Sequence, residues 1–187
     1  SNGNDIIAAG EILPWGDDEC VLLAVNHWNS TAILLGPRAL AIDLNGFVWV
    51  GIHNLSKYYK LNPNDGSLVT SVNISAPPYG AVVDKNGILW GVTLSEEGGG
   101  GVRRINTTSN LALSGVYCPG KGYGISTGKN GLVVVGSVRT APLGFCVINI
   151  SKNSGSEVFY STPVTALTNT IDSDGNIWIS SYTSWER

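Results

Sequence analysis

Few residues in this chain have side chains suited to catalysis or metal binding. There are two histidines, His27 and His53, and three cysteines, Cys20, Cys118 and Cys146. His53 follows the apolar run Val48 to Ile52, where an imidazole could serve as general base or as a polar contact to a ligand. Glu96 and Glu97 precede four glycines and could clamp a divalent cation. Asp172-Ser173-Asp174-Gly175 opens like a calcium loop, but the downstream bidentate glutamate is missing, so hairpin-turn chemistry is the expected use. No Cys-x-x-Cys pair supports zinc. Tyr79 and Tyr123 each precede a glycine, and two aromatic faces beside Arg38, Asn54, Arg139 and Tyr182 suit sugars, peptides or carboxylated small molecules.

These residues need a scaffold, and an internal repeat supplies one. Asp43-Leu44-Asn45-Gly46-Phe47-Val48-Trp49 returns as Asp84-Lys85-Asn86-Gly87-Ile88-Leu89-Trp90 and as Asp172-Ser173-Asp174-Gly175-Asn176-Ile177-Trp178. A degenerate copy runs from Gly128 to Val134. The turn glycines Gly46, Gly87, Gly131 and Gly175 are 41, 44 and 44 residues apart, the period of a four-stranded propeller blade. An Asn-Gly or Asp-Gly pair between apolar runs predicts a tight hairpin whose two turn residues both take positive φ. A second hairpin follows each first one, as in Lys57 to Leu61 with Leu68 to Ile74. No 3.6-residue apolar stripe occurs, so essentially no helix is predicted.

The predicted fold is all-β, a β-propeller of four-stranded blades with about four blades in this chain. Blades start near 39, 81, 124 and 166 within a propeller spanning 19–187, and 19–36 reads as the outer hairpin that completes the last blade. Residues 1–18 fall outside the pattern as an extension or extra strand. Closure within the chain is favoured because open sheet edges expose apolar strands. Membership of a larger ring, or self-association, is the alternative.

In a propeller, the loops entering the first strand and leaving the second share one end, the mouth. They carry Arg38, His53, Asn54, Tyr79, Glu96, Glu97, Tyr123, Arg139 and Tyr182. Trp49, Trp90 and Trp178 share one strand position, which points to packing between blades, whereas Trp15, Trp28 and Trp185 lie outside that register.

The Asp-x-Asn/Asp-Gly-x-hydrophobic-Trp pattern resembles the repeats of streptogramin B lyase-like and NHL-type propellers, together with Pro78-Tyr79-Gly80-Ala81 and Lys60 to Gly66. That resemblance implies the propeller fold and, in the lyases, a His-Glu-His cluster with magnesium opening a cyclic depsipeptide by elimination. No Glu-x-His occurs here, so the catalytic set does not carry over. A lyase-like or lactonase-like enzyme using Mg or Ca, with His53 as base and Glu96 or Glu97 at the cation, is the alternative to a cofactor-free binding or adhesion module for a glycan, peptide or protein.

Charge and composition narrow the partners. The formal net charge is -3 with scattered Lys and Arg, which argues against a nucleic-acid surface. The longest apolar runs fall far short of the roughly 20 residues of a membrane span, so no membrane insertion is expected. Cys118 and Cys146 fall on adjacent blades and are the expected disulfide. Sequons at Asn29, Asn54, Asn73, Asn106 and Asn149, in a chain poor in Lys, point to a glycoprotein in an extracellular or cell-surface setting.

Overall fold

The computed structural model describes residues 36–94, 101–138, 143–151 and 157–182. The chain is a β-propeller built from consecutive antiparallel meanders. The first sheet holds β1 (Pro37–Ile42), β2 (Val48–Ile52), β3 (Lys57–Leu61) and β4 (Leu68–Asn73) in that order. The second holds β5 (Pro78–Val83), β6 (Ile88–Thr93), β7 (Val102–Asn106) and β8 (Leu111–Val116). β9 (Lys121–Thr127), β10 (Leu132–Val138), β11 (Gly144–Asn149) and β12 (Val158–Ser161) form the third. β13 (Thr165–Ile171) and β14 (Ile177–Tyr182) form a two-stranded sheet. The one helical element among the described residues is a 3₁₀ turn, His53–Leu55.

Each inner hairpin turns in the same way, though not as the Asn-Gly pair suggests. Gly46, Gly87, Gly131 and Gly175 have φ of 83, 74, 76 and 88°, but Asn45, Asn86, Asn130 and Asp174 are not among the positive-φ residues. The loop is one residue longer than the predicted turn. Gly46 N–H donates to the Asp43 carbonyl at 2.9 Å and Asp43 N–H to the Phe47 carbonyl at 2.9 Å, and the other three turns repeat both bonds. This is the three-residue hairpin loop that needs a left-handed glycine only at its last position.

The turn aspartate fixes the rest. Asp43 Oδ1 accepts the N–H groups of Asn45 (2.9 Å) and Phe47 (3.0 Å), while Oδ2 accepts the Trp49 indole N–H at 3.0 Å. Asp84 holds Asn86, Ile88 and Trp90 in the same pattern, and Asp172 holds Asp174, Asn176 and Trp178. The shared Asp and Trp of the repeat are therefore one hydrogen-bonded unit.

Sheets stack face to face, with β1, β5, β9 and β13 as successive neighbours. One core groups Trp49, Tyr58 and Val72 of the first sheet and Ile74, just after β4, with Leu89, Ile105, Ala81 and Val83 of the second. The next groups Trp90, Val92, Val102 and Val116 with Val133, Val135, Cys146 and Ile148 of the third. Each Trp-bearing face thus packs on the opposite face of the following sheet. Lys60 crosses the first seam: its ammonium lies 3.2 Å from Asp43 Oδ2, donates to the Thr107 carbonyl at 2.8 Å and sits 4.4 Å above the Phe47 ring. Cys118 and Cys146 are joined by a disulfide, with Cα atoms 5.9 Å apart, across the second seam.

Candidate functional site

The inner strands begin earlier than the repeat predicts, at 37, 78, 121 and 165, and this places Arg38, Tyr79 and Tyr123 on strands rather than on loops. Each inner strand also carries a register shift near its start. Pro37 faces Ile52 and Ala39 faces Gly51, so Arg38 is an extra residue. Tyr79 is extra between Pro78 and Gly80, and Leu167 between Ala166 and Thr168. In β9 the shift leaves Tyr123 and Gly124 between the paired Gly122 and Ile125. Arg38, Tyr79, Tyr123 and Leu167 all stand five residues before their turn position, Asp43, Asp84, Gly128 and Asp172. An extra residue in one strand re-aims the side chain that it carries. The mouth is built from this one repeated irregularity.

The small residue after each aromatic has a reason. A Cβ on Gly124 would lie 2.7 Å from the Thr168 Cα, and one on Gly80 would lie 3.3 Å from the Tyr123 carbonyl oxygen. The inner strands approach so closely that only glycine fits at 124. Asn169 Nδ2 donates to the Gly124 carbonyl at 3.1 Å and fixes the spacing.

Three of the predicted ligand residues meet in one row. The Tyr79 and Tyr123 ring centroids are 4.8 Å apart with planes tilted by 47°. The Arg38 guanidinium lies 5.2 Å from the Tyr79 centroid and donates from Nη1 to the Tyr79 hydroxyl at 3.2 Å. His53 meets Tyr79 edge-on with centroids 6.4 Å apart, and its Nδ1 is 2.9 Å from Asn54 Oδ1. With the amide oxygen as acceptor, Nδ1 carries the proton and Nε2 keeps its lone pair. His53 and Arg38 are both partly or fully open to solvent. Leu167, half-buried at the fourth equivalent position, was not among the sequence candidates. Counting back from each turn aspartate would have found it.

The remaining candidates separate from this row. Tyr182 ends β14 opposite Thr165; its side chain, and Glu96, Glu97, Arg139, Asn29, His27, Cys20, Trp15, Trp28 and Trp185, lie outside the described residues. So do residues 1–18 and nearly all of the 19–36 hairpin, and with them the closure of the ring. The side-chain oxygens of Asn73, Asn106 and Asn149 accept the N–H groups of Ser75, Thr108 and Ser151 within their own sequons. Trp49 and Trp90 are buried, but Trp178 is 62% exposed.

The lyase-type metal set has no counterpart among the described residues. No three His, Cys, Asp or Glu side chains converge there. The Asp172 carboxylate is occupied by backbone and side-chain donors, which hold its pKa at about 2. These residues do not fit a magnesium or calcium centre.

Neither a family model nor a curated protein matches the sequence. Solved structures do match by shape. Hydrazine synthase of Kuenenia stuttgartiensis superposes with a TM-score of 0.66 at 12% identity over 80% of this chain and 45% of its own. A streptogramin B lyase gives 0.63 at 18% identity over 81% and 50%. A gluconolactonase of Xanthomonas campestris gives 0.57 at 13% identity over 76% and 55%. The chain spans about half the length of these structures. The shared feature is the fold: this chain is a β-propeller of the architecture on which a lyase and lactonases are also built.

Proposed function

We propose that this chain is a non-catalytic binding propeller whose mouth takes a glycan or peptide bearing a carboxylate. The observation that carries the reading is the row Arg38, Tyr79, Tyr123, with a cation at one end of two adjoining aromatic faces. Tyrosine rings offer flat apolar contact to a sugar ring or side chain, and the planar guanidinium matches a carboxylate in two-point geometry. Leu167 holds the fourth equivalent strand position and supplies an apolar side chain there. The His53 Nε2 lone pair adds an acceptor for a ligand hydroxyl.

On this reading no metal or cofactor takes part, and the protein works outside the cytosol. The Cys118–Cys146 bridge supports that setting, since disulfides persist chiefly in oxidising compartments. Calorimetric titration with uronate-containing oligosaccharides, their neutral counterparts and acidic peptides tests the proposal. Binding of one acidic class is expected, unchanged by chelator. Tyr79→Ala and Arg38→Ala should each weaken it about tenfold. Equal affinity in both variants sinks the reading.

A second reading has a specific observation behind it, the likeness to a streptogramin B lyase and to gluconolactonases. It makes His53 a general base acting on a lactone or ester at the same mouth. Lactone turnover that disappears in His53→Ala would favour this reading over the first.

A further inference from the structure

Among the described residues, the sheet stack has an open face at each end, and the two faces are opposite in kind. At one end Trp178 stands 62% exposed with Thr168, Thr170 and Ser180 around a hollow of about 280 Å³. At the other end Leu40 and Ile42 are each 64% exposed. Within the stack, the same two kinds of face are paired. Trp49 is closed off by the second sheet, whose inner strand contributes Ala81 and Val83. Counted back from the turn aspartate, Ala81 corresponds to Leu40 and Val83 to Ile42. The first sheet therefore presents outward the positions that bury a blade tryptophan elsewhere in the molecule, and with larger side chains. Trp178 is already oriented for such a cover, its indole N–H bonded to Asp172 at 2.9 Å.

We infer that a second copy of this chain covers both faces, its Leu40–Ile42 face seated on Trp178 and its own Trp178 receiving the same face in return. The two seams are related by a two-fold axis along the propeller axis, so the assembly closes and does not grow into a fibre. The matched span is 45 to 56% of the length of four solved structures with this shape, so a ring of their size needs a second span of about the same length. Each seam would repeat a contact that the chain already makes internally between its own sheets. The inference stands apart from the ligand reading, because neither face includes Arg38, Tyr79 or Tyr123.

Sedimentation equilibrium of the full chain tests it. The expected species is a dimer, and Trp178→Asp or Ile42→Asp alone should raise the dissociation constant at least about tenfold. Mixing the two variants is the decisive arm: one retains an intact Leu40–Ile42 face and the other an intact Trp178 face, so one seam re-forms and dimers reappear. Leu40→Lys and Thr170→Asp provide a second pair on the same faces if either first variant loses its circular dichroism spectrum. A chain that is monomeric throughout the concentration range overturns the inference, as does a dimer indifferent to all four substitutions or a mixture that associates no better than its components. A monomer would mean that another part of this chain, or a different protein, covers these faces.

Discussion

Trp49 and Trp178 occupy the same position in two copies of one hairpin, yet one is 0% and the other 62% exposed. Their local bonds hardly differ. The indole N–H reaches the turn aspartate at 3.0 Å in the first and 2.9 Å in the second. The other oxygen of each aspartate accepts two backbone N–H groups, at 2.9 and 3.0 Å for Asp43 and at 3.0 and 2.8 Å for Asp172. Even the second contact on Oδ2 has an analogue: Lys60 supplies it at Asp43, and Asn176 Nδ2 supplies it at Asp172 at 2.9 Å. Seven residues of sequence thus build the hairpin whether or not a neighbour covers it. Burial comes from the adjoining sheet, and so does most of the stability attached to the tryptophan.

The largest expected effect separates the two on that basis. Trp49→Ala empties a fully buried site and should destabilise the protein by about 3–5 kcal/mol in urea denaturation. Trp178→Ala, measured at a concentration where the chain is monomeric, should cost under about 1 kcal/mol, as surface substitutions do. Comparable losses would show that Trp178 is covered within a single chain. Lys60 gives the next effect. Its ammonium joins Asp43 to the Thr107 carbonyl of the second sheet, and both charged side chains are at most 6% exposed. Lys60→Ala leaves the Asp43 carboxylate buried without its counter-charge and should cost about 3 kcal/mol. Asn176→Ala removes the analogous contact at the exposed hairpin and should change the urea midpoint far less.

The same hairpins show what the sequence could disclose. The 41- to 44-residue spacing and the turn glycines carry the blade repeat because a left-handed loop position and an apolar strand pair must recur in every blade. The Asp–Trp bond went unread, although the degenerate copy carries its signal by lacking both partners at once, with Gly128 for Asp and Val134 for Trp. The loop length was not legible, because Asn-Gly also fits the shorter turn and only the backbone bonds decide between them. At the mouth, Tyr79 and Tyr123 stood out by their following glycines. Leu167 did not, for it has no polar group to draw notice. The extra residues at Arg38, Tyr79, Tyr123 and Leu167 arise from register between strands, which a single strand's pattern does not encode. Trp178 reads the same as Trp49 in sequence. Its exposure depends on what lies beyond the last sheet.

Acid should separate the two hairpins most finely. At Asp43 burial favours the neutral form, but the Trp49 indole, the Asn45 and Phe47 N–H groups and Lys60 together outweigh it and hold the pKa below the ordinary 3.8. At Asp172 the Trp178 indole and the Asn176 side chain lead in lowering it to about 2. Both folded values lie below the unfolded ones, so each group's contribution is fully present above about pH 4 and is lost as the pH falls through the folded pKa. The urea midpoint should therefore be flat from about pH 7 to 5 and fall steeply below 4. Asp43→Asn should flatten that acid limb more than Asp172→Asn, because the Asp43 charge is shielded from water and paired with Lys60 while Asp172 is solvated and screened. If the two variants flatten it equally, the local donors alone set the proton affinity of these turns, and the neighbouring sheet adds packing without electrostatics.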